Sequence, residues 1–378
     1  MKDLKDIRVE IDTIDQQILK LYEDRMKLAC EVAEYKISVG KKVYDKEREN
    51  QKLETLSSYA SDEFNKQGIY ELYTQIMSNS RKKQYQILAK HGMSFDTGFK
   101  AYENFDFSNS SVCYQGVEGA YSQMAMNEFF SGSMSNSFHV DTWRDAMEAI
   151  KDGRADYAVL PIENSSAGSI AENYDLLSEY EVSIIGEQIL KVNHALLGIK
   201  GAKIEDIKTV FSHPQAIAQC DEYIRKGHMS WDVKALHNTA VSAKKVCDDD
   251  DKSQAAIGSI LNAQIYGLEV LDENIQDIKN NETRFIIVSK DKKYYRKASK
   301  ISICLEIKNG VGTLYRILSN FIFNGLNMNC IESRPMKDVN WQYRFFIDFD
   351  GNLEDDAVKN ALVGLEEECE KIKILGNY

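Results

Sequence analysis

The sequence predicts a multidomain chain with an all-α segment, an α/β segment and an α+β segment in that order. Three observations predict it. Positions 4, 7, 11, 14, 18, 21, 25, 28, 32, 35 and 39 keep an unbroken 3,4 spacing and are apolar except at Arg25, the seam of one long packed helix. From residue 111 short strands alternate with helices, the signature of an α/β domain. From residue 299 the pattern is strand, helix, strand, strand, helix, strand, the ferredoxin-like order. The predicted domains are therefore residues 1–90, 111–290 and 299–378, with 91–110 as an aperiodic linker.

Composition bounds the function. At 378 residues, with 43% hydrophobic and 28% charged content, the chain is long enough for two or three cores. Its net charge of −12 argues against a nucleic-acid partner. Seven scattered cysteines, never spaced as CxxC, predict reduced thiols rather than a disulfide frame or zinc site, and no metal or cofactor is expected. The N-terminus is too charged for a signal peptide and no apolar run is of spanning length, so a cytoplasmic protein with no membrane partner is expected.

In the first segment the helix over Leu4–Val39 would run about 50 Å. An apolar stripe that long exceeds what the remaining short helices can cover, which predicts a homodimer or a homotetramer. Arg25 interrupts the seam, and a guanidinium in a core position needs an anion. Lys36 lies about three turns further on and points the same way. Beyond Gly40 a second helix brings Asp45, Arg48 and Glu49. A third helix carries Ser80 and Gln84 where apolar residues are expected, one turn apart. Together these residues predict a buried pocket for a small polyanion.

This segment resembles the all-helical class of chorismate mutases, which are intertwined dimers. Matched residue by residue, the resemblance implies a chorismate pocket of Arg8, Arg25, Lys36, Asp45, Arg48, Glu49, Ser80 and Gln84, with Lys36 and Gln84 as the catalytic donors. Arg8 and Arg25 are roughly 25 Å apart along one helix, so Arg8 is expected to serve the partner's site.

Three prolines occur in the whole chain, and each sits in a polar motif: Pro161 in LPIENSSAGS, Pro214 in FSHPQAIAQC and Pro335 in CIESRP. In the middle segment four strand–loop–helix corners repeat: SVCYQ through Gly116 and Gly119 into YSQMAMNEFF, ADYAVLPI through Asn164 and Ser165 into a helix with a Ser169…Glu172 capping box, TVFSH into a helix opened by Pro214, and NNETRF into FIIVS. Helix N-termini at strand ends favour anionic ligands. Each motif alone is weak, and no nucleophilic triad or dinucleotide fingerprint is present.

As an ordered set, GVEGAYS, LPIENSSAGS, FSHPQAIAQC, AAIGSILNAQIYGL and NETRF resemble prephenate dehydratase, although Val117 and Ala120 depart from the usual residues. The resemblance implies two α/β lobes around a cleft, similar to periplasmic binding proteins. It also implies Thr283 as the catalytic hydroxyl, with Ser122, Asn164, Ser165, Gln215, Gln219 and Arg284 binding prephenate. For Arg284 two roles stay open, holding a carboxylate or bracing the cleft by a salt bridge.

The last segment resembles the ACT regulatory domain. NGVGTL and IESRP imply a phenylalanine effector site of Gly312, Thr313, Leu314, Glu332, Ser333 and Arg334. All three segments together resemble the bifunctional chorismate mutase–prephenate dehydratase family, which implies conversion of chorismate to prephenate and then to phenylpyruvate under phenylalanine feedback. The alternative is a dehydratase whose helical domain only dimerises or regulates.

Overall fold

The computed structural model describes residues 2–92, 96–336, 339 and 341–378. The chain divides into two compact units, Met1–Thr97 with Ile303–Lys373, and Gly98–Ser302 with Ile374–Tyr378.

The first unit opens with three helices, α1 (Leu4–Val39), α2 (Lys46–Ser58) and α3 (Glu63–Lys90). Gly40 ends α1 in the left-handed region at φ +64°. The Asp45 and Asp62 carboxylates accept backbone N–H bonds as the N-caps of α2 and α3. Only Ala29 and Ala33 of α1 are buried. Every apolar residue of its seam is exposed in the single chain, from Leu4 at 59% through Ile14 at 54% to Leu21 at 69%. The strict spacing thus forms the helix, yet the chain's own core does not cover the stripe.

In the second unit β1 (Lys100–Tyr102) starts the fold inside the stretch read as linker, while residues 93–95 of that stretch lie outside the described residues. Phe105 and Phe107 pack against the core here, which is why an aperiodic segment is nevertheless built into the unit. The first lobe follows: β2 (Ser111–Gln115), α4 (Tyr121–Phe130), β3 (Asn136–Val140), α5 (Trp143–Lys151), β4 (Tyr157–Asn164), β5 (Gly168–Ser169), α6 (Ala171–Glu179) and β6 (Ser183–Lys191). The chain then crosses into β7 (Ala195–Gly198), β8 (Thr209–Ser212), α7 (Pro214–Gln219), α8 (Asp221–Gly227), β9 (Asp232–Ala235), α9 (Thr239–Asp249), β10 (Gln254–Gly258), α10 (Ile260–Tyr266) and β11 (Glu269–Glu273). It returns through β12 (Glu282–Ser289) and β13 (Lys293–Tyr295), the latter pairing in parallel with β1.

One lobe has strand order β6-β12-β4-β2-β3 and the other β11-β7-β10-β8-β9. Val112, Met126, Phe130, Tyr157 and Ile287 fill the first core, and Leu197, Phe211, Val246 and Ala256 one face of the second. The two crossings between lobes are tied together, because Val192 N–H donates to Asn281 O at 2.8 Å and Ile275 N–H to His194 O at 3.1 Å.

Two local expectations are corrected. Ser169 does not cap α6: it pairs with Glu163 as part of β5, and the helix starts after Ile170 without a side-chain cap. The helix after Pro214 is broken between α7 and α8 at Cys220, which is fully buried in the second lobe's core. Pro214 does take the first turn of α7.

The C-terminal elements are β14 (Lys300–Glu306), α11 (Thr313–Phe323), β15 (Met328–Pro335), β16 (Tyr343–Asp350), α12 (Asp356–Glu368) and β17 (Lys371–Asn377). Their strands lie in the order β15-β16-β14-β17, as the predicted β-α-β-β-α-β succession requires. Within the first unit α12 packs against α3.

Candidate active sites

A cavity of about 490 Å³ lies in the second unit, within the range of small-molecule sites. Antiparallel pairing of β12 with β4 sets Thr283 opposite Asn164, which brings the NETRF and LPIEN motifs together at its wall. The Asn164 Nδ2 donates to Thr283 Oγ1 at 2.9 Å and to Asn281 Oδ1 at 2.8 Å. Asn164 Oδ1 accepts from Ser166 Oγ at 2.7 Å and from the N–H groups of Ser166 and Ala167. The Asn164 side chain is therefore consumed in shaping the turn and holding Thr283.

The chain of bonds continues across the cavity. Gln219 Nε2 donates to Ser166 Oγ at 3.1 Å, leaving Gln219 Oε1 to accept from His194 Nε2 at 2.8 Å. That tautomer leaves His194 Nδ1 as the acceptor facing Tyr121 OH at 3.2 Å. His194 is buried, and burial pulls its pKa below the usual value against the opposing bond to Gln219. Burial lowers His213 likewise, and its Nδ1 accepts from Gln215 N–H at 3.2 Å. None of the residues lining this cavity is Asp, Glu, Lys or Arg. It is a neutral polar chamber.

Ser122, Asn164, Gln215, Gln219 and Thr283 all line it. Ser122 donates to Gln115 O from the first turn of α4. Ser165 is turned away, donating to Asn280 O at 3.2 Å, and its neighbour Ser166 takes the place in the chain of bonds. Arg284, one residue from Thr283, points to the other face of the strand, as alternation demands. There it meets Glu163 at 3.2 Å and Glu187 at 3.5 Å, the bracing geometry of its two open roles. Sequence reasoning missed Tyr121, Ser166, His194 and Asn281. Ser166, Asn281 and Tyr121 lie inside LPIENSSAGS, NETRF and GVEGAYS, so membership of those motifs was the available signal, whereas nothing in VNHAL marks His194.

A second cavity, of about 250 Å³, lies in the first unit among α1, α2 and α3. It gathers Arg25, Lys36, Asp45, Arg48, Glu49, Ser80 and Gln84, joined by Lys52 and Arg81. The 3.6-residue period stacks Arg25 and Lys36 on one face of α1, and Ser80 and Gln84 on one face of α3. Arg25 donates to Ser80 Oγ and to Ile76 O, and burial holds its pKa down against nearby Tyr73, Glu49 and Tyr22. Burial also lowers Lys36, opposed by Glu367, Asp45 and Glu49, and its ammonium donates to Val43 O. Gln84 Nε2 donates to Ser80 O at 3.3 Å, while its buried Oε1 has no partner. Five cations and two carboxylates line the cavity, so its character suits an anion. Arg8 stands exposed on α1 and outside this cavity.

In the C-terminal domain Gly312 caps α11 at φ +72°, and Thr313 Oγ1 accepts from Arg316 at 3.1 Å, with Leu314 half-buried beside it. On β15 Glu332 and Arg334 share one half-buried face and Ser333 is exposed on the other.

The prephenate dehydratase family model matches residues 112–293 and the chorismate mutase type II model residues 7–85. A bifunctional chorismate mutase/prephenate dehydratase from Aquifex aeolicus is 31% identical over 384 residues, covering 100% of this chain and 98% of its own. One from Buchnera aphidicola of Acyrthosiphon pisum is 32% identical, covering 98% and 95%. A solved prephenate dehydratase from Arthrobacter aurescens in complex with L-Phe superposes with TM-score 0.66 at 31% identity, over 71% of this chain and 89% of that one. The chain belongs to the bifunctional chorismate mutase/prephenate dehydratase family and is an enzyme of phenylalanine biosynthesis with both activities. Among the described residues no helix is long and apolar enough to cross a membrane.

Proposed function

We propose that the neutral chamber binds prephenate and that Thr283 donates to its departing hydroxyl. The observation that carries this is the Asn164–Thr283 bond: a hydroxyl that accepts from Asn164 keeps its own proton for a ligand. Dehydration and decarboxylation occur together, driven by aromatisation. The ring carboxylate leaves as CO2, its electron pair entering the ring as the ring C–O bond breaks. The departing hydroxyl becomes water with one proton taken from solvent through the Thr283 hydroxyl, which is restored in the same relay. A chamber without charged side chains favours loss of a carboxylate, because the anion gains little there and the neutral CO2 loses nothing. Ser122, Gln215 and Gln219 orient the pyruvyl end, with Ser165 and Arg284 supporting the walls.

In the helical domain the cationic cavity holds the two carboxylates of chorismate in the compact conformer that a pericyclic rearrangement needs, which is catalysis by positioning. Arg25 and Arg48 grip carboxylates, Asp45 fixes the start of α2, Ser80 orients Arg25, and Glu49 accepts from the substrate hydroxyl. Lys36 and Gln84 stabilise charge on the ether oxygen as its C–O bond breaks. The exposed seam of α1 supports a dimer of intertwined helices in which Arg8 completes the partner's cavity.

The C-terminal domain is read as an ACT domain binding phenylalanine at Gly312, Thr313, Leu314, Glu332, Ser333 and Arg334, and lowering both activities in a cytoplasmic enzyme. Support comes from its strand order and from the relative solved with L-Phe. One assay tests the whole reading: chorismate is supplied to the pure protein, and prephenate and phenylpyruvate are followed with and without phenylalanine. Arg25→Ala should block the first product, Thr283→Val only the second, and Ser333 with Arg334 replaced should escape inhibition. Wild-type kinetics in any of these variants would remove the corresponding assignment.

A further inference from the structure

Arg81 is only 5% exposed and is not part of the expected pocket, yet it borders the helical cavity. Its guanidinium donates from one nitrogen to Glu49 Oε2 and from another to Glu368 Oε1 at 2.8 Å, and lies over the Tyr44 ring at 4.6 Å. Glu49 is a wall of the cavity, whereas Glu368 is the last residue of α12 in the C-terminal domain. The neighbouring Glu367 accepts from Tyr85 OH and from Tyr44 N–H at 2.9 Å, beside the N-cap of α2. Two successive carboxylates of α12 thus hold α3 and the α1–α2 connection from outside the cavity.

Stability alone does not ask for this arrangement. The Arg81 guanidinium and the Glu368 carboxylate are nearly removed from water and Glu49 is half-buried beside them, at a desolvation cost that an apolar packing would avoid. Glu368 Oε2 is in addition buried without a partner. What the triad does supply is direction. With both forks of Arg81 occupied, Glu49 is held at a fixed place on the cavity wall.

We propose that Arg81 is a positioning residue of the mutase site, and that Glu368 of the C-terminal domain completes the frame which aims Glu49 at the substrate hydroxyl. The proposal rests on the reading of the helical cavity as the chorismate site. It makes α12 part of the mutase's support, so that a displacement of α12 is felt at Glu49.

The experiment measures mutase kinetics on chorismate for the full-length protein. Glu368→Gln keeps the shape and removes the charge; it should raise KM roughly tenfold while kcat changes less than about threefold, since Glu49 binds rather than reacts. Arg81→Lys should fall between wild type and Arg81→Met. In the double variant Arg81→Met/Glu368→Gln the second change should add nothing to the first. Wild-type KM in a Glu368→Gln protein with an unaltered circular dichroism spectrum overturns the proposal, as does full additivity in the double variant. Arg81→Lys retains the charge, so wild-type kinetics there together with an inactive Arg81→Met reduces Arg81 to a plain cation and overturns it too. Arg25→Ala in the same assay separates the two levels: if that variant keeps mutase activity, the cavity itself is misread; if it is inactive while Glu368→Gln is normal, only the role of Glu368 falls.

Discussion

The Asn164 amide donates to the Thr283 hydroxyl oxygen at 2.9 Å across a directly paired strand position. A hydroxyl held this way has one proton left to give, directed toward the cavity it lines. Thr283→Val preserves shape and deletes that proton. Dehydratase turnover should drop on the order of 10²–10³-fold, with prephenate accumulating from chorismate, while Thr283→Ser keeps most of the rate. A near-normal rate for the valine variant would leave Thr283 as a mere turn residue.

Two histidines that line the same cavity, His194 and His213, have pKa values held below the usual value by burial. Both therefore give up their proton more readily than a free imidazole, and no Asp or Glu lines the cavity. Dehydratase kcat should be level in neutral and mildly alkaline solution and decline only in acid, where a protonated His194 brings a positive charge into the chamber beside Tyr121, whose hydroxyl donates to Asn193 O at 2.9 Å. A pH–rate profile rising through 7 would contradict this.

Gln84 is buried in the wall of the cationic cavity, its Nε2 donating one N–H to Ser80 O at 3.3 Å and keeping a second for the ether oxygen. Gln84→Ala should cost mutase kcat on the order of 10²-fold and leave dehydration of supplied prephenate unchanged. Parallel loss of both activities in a folded protein would mean that the two sites are not separate.

The uncovered seam of α1 leads to a complementation test. Arg8→Ala and Arg25→Ala chains, each inactive as a mutase, should regain about a quarter of wild-type activity when unfolded together and refolded, because half of the mixed dimers' sites are intact. No recovery would mean that Arg8 acts within its own chain, or not at all.

Lys82 on α3 is buried, donating to Ser319 O and Oγ at 3.0 Å each, and its pKa is lowered to about 8 by burial, against the pull of Glu368. Between about pH 8 and 10 the unfolded chain binds this proton and the folded one does not, so stability rises with pH in that window. The unfolding midpoint of wild type relative to Lys82→Met should therefore climb from pH 7.5 to 10 in thermal melts. A constant difference would show that Lys82 titrates normally.

Much of this was legible in residue order. The seam of α1, the interruptions at Arg25, Ser80 and Gln84, and the strand–loop–helix corners are all local patterns, and local patterns are set by periods of 3.6 and 2 along the chain. They placed seven cavity residues of the helical domain and the motif that carries Thr283. Tertiary structure decided the rest, because it depends on which elements pack together. Ser166 replaced Ser165 in the bond network since a tight turn sets which hydroxyl meets Asn164 and Gln219. His194 became a link between lobes at a crossing that no motif marks. Arg81 reads in sequence as one more charge in SRKKQ, and only the packing of α12 against α3 turns it toward both Glu49 and Glu368. Contacts between residues hundreds of positions apart leave no trace in periodicity, since nothing in the spacing of one element records the partner it will meet.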